Sequence, residues 1–127
     1  MSFIEQIKSN CGKLPYDRIK IWRFSRSELI TIRRGVVFAF ASWSGHAVRS
    51  FQFFCDALAD SPIPKLSIYV VDATAFDLDA FQNAFGELPQ GKGEAYWIRN
   101  GQVLHRDHGY TDETKNVLQE RTIEFTQ

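Results

Sequence analysis

Hydrophobic and polar positions change their period several times along the 127 residues, and each change marks an element. Phe3, Ile4 and Ile7 fall at helical spacing before Gly12, which predicts a short helix over residues 2–11. Ile19 to Phe24 is rich in β-branched and aromatic residues and reads as a strand. The next segment is mixed: Ser27 and Glu28 suit a helix start, whereas Ile30-Thr31-Ile32 suits a strand. Val36-Val37-Phe38-Ala39-Phe40-Ala41 is apolar throughout and follows Gly35, the pattern of a central strand covered on both faces. From His46 to Asp60, Ala47, Val48, Phe51, Phe54, Cys55 and Leu58 share one helical stripe, with Arg49, Gln52, Asp56 and Asp60 opposite. Leu66 to Val71 is a second buried strand, closed by Asp72. Thr74 is expected to cap a helix that presents Leu78, Phe81 and Phe85 on one face, with Asp77 in its first turn.

The last third predicts a hairpin and a helix. Glu94 to Arg99 and Val103 to His108 flank Asn100-Gly101, a pair suited to a two-residue turn with positive φ at both positions. Thr111 is expected to cap a final helix from Asp112 to about Arg121. Strands separated by helices run parallel, and the closing hairpin adds an antiparallel pair. The class is therefore α/β: a mixed central sheet with a C-terminal hairpin and helices on both faces, a three-layer sandwich.

Composition narrows the setting. The length suits one domain spanning residues 1–127, with no repeat, linker or low-complexity run. Fifteen basic residues balance fifteen acidic ones, so the basic excess of a nucleic-acid-binding or anionic-lipid-binding protein is absent. The longest stretch without a charged residue, Gly35 to Val48, falls short of the roughly 20 apolar residues a membrane span requires. No basic segment followed by an apolar run opens the chain, and Cys11 and Cys55 are too few for a disulfide framework or a cysteine zinc site. These features point to a cytoplasmic, soluble protein. The charge is uneven: residues 1–50 carry a net +6 and residues 51–127 a net −6. The basic run from Arg18 to Arg34 reads as a solvated face offset by acidic helices.

Several landmarks resemble the thioredoxin family over about residues 19–124. An apolar strand, Val36 to Ala41, leads through Ser42 into Trp43-Ser44-Gly45-His46-Ala47 and an amphipathic helix. The family has Trp-Cys-Gly-Pro-Cys at that junction. The next strand ends in Asp72, the later hairpin turns on Asn100-Gly101 after Tyr96-Trp97-Ile98, and Gly109 follows the last strand. The resemblance implies a thioredoxin-like fold preceded by the helix over residues 2–11. It also implies four departures: Ser44 and Ala47 at the two cysteine positions, Phe38 at the buried Asp, and Gly93 at the cis-proline. Ser44 cannot form the mixed disulfide and Ala47 cannot resolve one, so dithiol–disulfide exchange is not expected.

Other chemistry is weakly supported. Ser44 reads as an N-cap rather than a nucleophile, and His46 as an exposed first-turn residue rather than its base, because no orienting carboxylate or oxyanion site is identifiable. His105 and His108 lie three apart on a strand and so point to opposite faces, which argues against a shared metal. Gly91-Lys92-Gly93 lacks the following helix of a phosphate loop and reads as a flexible connection. Cys55 is expected to be buried and Cys11 exposed.

No catalytic residue, metal site or cofactor is assigned. The leading expectation is a redox-inactive thioredoxin-like domain acting as a protein-binding adaptor or chaperone-like module. Its contact residues are Trp43, Ser44, Gly45, His46 and Ala47 together with Lys92 and Gly93, where Gly93 leaves room for an extended partner chain. Phe53, off the core stripe among charges, is a second contact candidate. The alternatives are a thiol- or glutathione-linked enzyme using Ser44 or a lone Cys, and a structural subunit of a larger assembly.

Overall fold

A computed structural model describes residues 1–23, 25–74 and 77–127. Its elements run α1 (Phe3–Asn10), β1 (Ile19–Ile21), α2 (Arg26–Leu29), β2 (Arg34–Phe40), α3 (Gly45–Asp60), β3 (Ser67–Asp72), α4 (Leu78–Phe85), β4 (Glu94–Arg99), β5 (Gln102–His108) and α5 (Lys115–Thr126). One five-stranded sheet has the order β1-β3-β2-β4-β5. β1 and β2 both pair parallel with β3, while β4 pairs antiparallel with β2 and with β5. The uniformly apolar strand β2 thus lies at the centre, and its alternation sends Val36, Phe38 and Phe40 to one face and Val37 and Ala39 to the other.

Each face has its own core. On the first, α1, α3 and α5 cover a cluster built on Phe38, Phe40, Phe51, Phe54 and Trp97. Phe38 touches the rings of Phe51 and Phe54 at centroid separations of 5.1 and 5.0 Å. On the second, α2 and α4 cover Val37, Val71, Phe81, Phe85, Tyr96 and Ile98. The result is a mixed sheet sandwiched by helices, the expected thioredoxin-like α/β architecture.

Local chemistry shifts several boundaries. β1 stops at Ile21, although the Trp22 N–H still donates to Val70 O at 2.9 Å; Phe24 lies outside the described residues. The ambiguous segment resolves into the short helix α2. It is pinned from outside: the hairpin N–H groups of Asn100 and Gly101 donate to Arg33 O and Ile32 O at 2.8 Å each. Gly101 is required there, since a Cβ would stand 2.8 Å from Ile30 O, and both turn residues have the expected positive φ. α4 is capped by Asp77, which accepts from the Ala80 N–H, and not by Thr74, whose hydroxyl is bound to Asp72. α5 begins at Lys115 rather than Asp112 and runs on to Thr126, because Thr111 and Thr114 close a separate turn between themselves.

Two side chains also differ from expectation. Cys11 is buried, 5% exposed, because the C-cap position of α1 faces the core. Phe53 is half-buried against the first core, with the Arg49 guanidinium 5.1 Å from its ring centroid, and is not a solitary exposed aromatic.

Candidate functional site

The junction of β2 and α3 lies at the end of the central strand, where chemistry is exposed while its support is buried. Ser44 caps α3: its Oγ accepts from the Ala47 N–H at 3.3 Å. The same hydroxyl donates to Gly91 O at 2.6 Å, so its proton is committed to a neighbouring loop. Trp43 stands 69% exposed, yet part of its indole rests on that loop, where a Cβ at Gly91 would come within 2.7 Å of the ring. Gly91 has φ +78°, a conformation that brings its backbone under the indole at little steric cost.

The loop over residues 88–93 is fixed rather than flexible. Beyond the Ser44 contact, Ser50 Oγ donates to Gly93 O at 2.8 Å and accepts from the Tyr110 N–H at 2.9 Å. The Gln90 N–H donates to Glu94 Oε2 at 2.7 Å. Gly93 is itself buried, with φ +80°, and a Cβ there would stand 2.6 Å from Ser50 Cβ. The room expected at Gly93 for an extended partner chain is therefore filled by α3, and the accessible loop backbone lies at Gln90 to Lys92. The structure brings Trp43, His46 and Lys92 onto one surface, with Ser44, Ala47 and Gly93 buried beneath as supports.

His46 is exposed and forms, with Arg49, Lys92, His108 and Tyr110, the lining of a cleft of about 360 Å³. Among the described residues the Ser44 hydroxyl is bound to Gly91 O and the Ala47 N–H and to no side-chain base. His105 and His108 fall on opposite faces of β5: His105 Nε2 meets Glu124 at 2.9 Å and His108 Nε2 meets Glu87 at 2.7 Å. Among the described residues no group of three His, Cys, Asp or Glu side chains is arranged to hold a metal. Both cysteines are buried and free, and burial pushes the Cys55 thiol well above its ordinary range. Among the described residues no helix is long and apolar enough to cross a membrane.

Beneath the cleft, Tyr110 joins the site to the core. Its OH accepts from Trp97 Nε1 at 3.1 Å and donates to Asp107 at 2.6 Å, and Arg121 grips Asp107 through Nε and Nη2 at 3.0 and 2.7 Å. Burial and the Asp107 carboxylate push the Tyr110 hydroxyl well above its ordinary value. Ser50, Glu94 and Tyr110 escaped the sequence reading, and Gly91, read as part of a flexible connection, is instead held by Ser44. Ser50 had a signal: a hydroxyl on an otherwise apolar helical stripe needs a buried partner.

Fold and junction together define a thioredoxin-like α/β protein. No family model matches the sequence, and no curated protein sequence matches it. Solved structures do. A mutant thioredoxin from Halobacterium salinarum NRC-1 is similar at a TM-score of 0.63 and 16% identity, over 87% of this chain and 93% of that one. Reduced desulfothioredoxin from Desulfovibrio vulgaris Hildenborough is similar at 0.60 and 16%, over 80% and 90%. A poplar thioredoxin h is similar at 0.60 and 14%, over 87% and 98%. At these identities the likeness is one of fold.

Proposed function

We propose that this protein is a redox-inactive thioredoxin-like module that binds another protein through the surface formed by Trp43, His46 and Lys92, with Ser44 fixing the loop beneath it. One observation carries the reading: the α3 N-terminus holds a serine whose hydroxyl is spent on Gly91 O and its own helix. A nucleophile there would need a free thiolate or an adjacent base. Cys55 lies three turns further along the same helix, about 16 Å away along its axis, and Cys11 is buried at the C-cap of α1. A glutathione-linked reaction at Ser44 gains no support from that geometry.

Protein binding is supported by what the junction retains. Trp43 offers a large aromatic surface held from below by Gly91, so little freedom is lost on contact. Lys92 and His46 supply a polar rim. Phe53 is less suited, because Arg49 and the core already cover part of its ring. Capture of a copurifying partner is expected to fall on Trp43→Ala and to survive Phe53→Ser. The opposite pattern would move the interface to the exposed face of α3, and indifference to both would remove the reading.

A further inference from the structure

Behind the 88–93 loop, on the α4 side of the sheet, lies a cavity of about 630 Å³ with Glu94 in its wall and Gly86, Glu87, Gln90, Lys92 and His108 around it. Glu94 is 1% exposed. Its Oε2 takes the Gln90 N–H, but Oε1 has no partner, the one such buried side-chain atom among the described residues. A buried carboxylate oxygen without a donor is costly, and Ser44, Ser50 and Thr122, the other buried polar side chains, are all hydrogen-bonded.

We propose that this cavity receives the guanidinium of an arginine side chain carried by the bound protein. The inference rests on the protein-binding reading and deepens it. Two carboxylates share the site: Glu87 accepts from His108 Nε2 and from the Tyr96 OH, and that hydroxyl lies within the electrostatic reach of Glu94 as well. The chain's own cations do not complete the pair. Arg106 lies beside the cavity, its guanidinium against Gly86 and within electrostatic reach of the Tyr96 OH, but it donates Nε to Phe85 O at 2.6 Å and makes no ion pair with Glu87 or Glu94. Lys92 is exposed at the rim, and Glu94 makes no ion pair among the described residues. A guanidinium offers five donors in one plane, which suits a cavity with two carboxylate residues in its wall better than a single ammonium does. The position suits the junction. Gln90 and Lys92 line the cavity and flank Gly91, on which Trp43 rests, so a segment crossing Trp43 passes the mouth.

The probe is N-acetyl-arginine amide, titrated into the full chain with the Gln90 backbone amide as the NMR reporter, against the uncharged N-acetyl-citrulline amide. Saturable shifts are expected with the arginine compound, none with the citrulline compound, and binding about tenfold weaker in Glu94→Gln. Glu94→Gln keeps an oxygen for the Gln90 N–H; should it fail to fold, Glu87→Gln is expected to weaken the titration in the same direction. Lack of saturation, an equal response to citrulline, or an unchanged titration in the variants would overturn the inference. The titration needs no partner protein, so its failure leaves the Trp43→Ala capture result standing on its own.

Discussion

Ser50 shows how one hydroxyl can hold a site together. It is fully buried, donates to Gly93 O and accepts from the Tyr110 N–H, and so ties α3 to the loops before and after the hairpin. Ser50→Ala would leave a carbonyl and an amide buried without partners, and a loss of about 3 kcal/mol is expected. A urea titration checks this: the midpoint should fall with the slope unchanged. Residues of this kind set the limit of what periodicity reveals. Phe38 and Cys55 were legible because a side chain on an apolar stripe has one place to go, and both are buried. Cys11, Phe53 and Glu94 were not, since their environment is made by neighbours distant in sequence: the α1 C-cap turning inward, Arg49 folding over a ring, a loop closing over a carboxylate.

At the scale of elements, every strand and every helix but α2 followed from the sequence, as did the starts of α1 and α3, whereas the starts of α4 and α5 did not. Thr74 and Asp77 are both competent N-caps, and Thr74 loses the role because Asp72 accepts from both its N–H and its hydroxyl. Asp77→Ala should therefore cost about 1 kcal/mol, whereas Thr74→Ala should cost less than half of that. Thermal unfolding of the two variants side by side distinguishes them, and an equal loss would mean that α4 is not held as described. The start of α5 shifted for a similar reason, with Thr111 and Thr114 satisfying one another. The hairpin was read correctly because Asn100-Gly101 encodes its own geometry. What the sequence could not supply was its second task, the pinning of residues 32 and 33 ahead of β2.

The whole molecule carries two tyrosines whose ionisation opposes folding, one on each face of the sheet. Burial, then the charges of Glu87 and Glu94, push Tyr96 far above the ordinary 10.0; Tyr110 is pushed up by burial and Asp107. The folded state holds both protons more tightly than the unfolded chain. Their contribution is thus complete below pH 10 and is lost progressively as pH rises above it. Alkaline unfolding should accompany their tyrosinate absorbance, and ionisation of all four tyrosines with the near-UV fold signal intact would contradict the burial described.

The same scale holds the functional proposal, because whether the chain can carry out disulfide chemistry depends on where every thiol lies. Cys11 and Cys55 are both buried, and the start of α3 holds Ser44 and Ala47, themselves buried, with no thiol at either position. The most direct measurement is turnover of a disulfide substrate by the full chain with both cysteines present. No turnover above a buffer control is predicted; turnover that disappears on Cys11→Ser or Cys55→Ser would contradict the account.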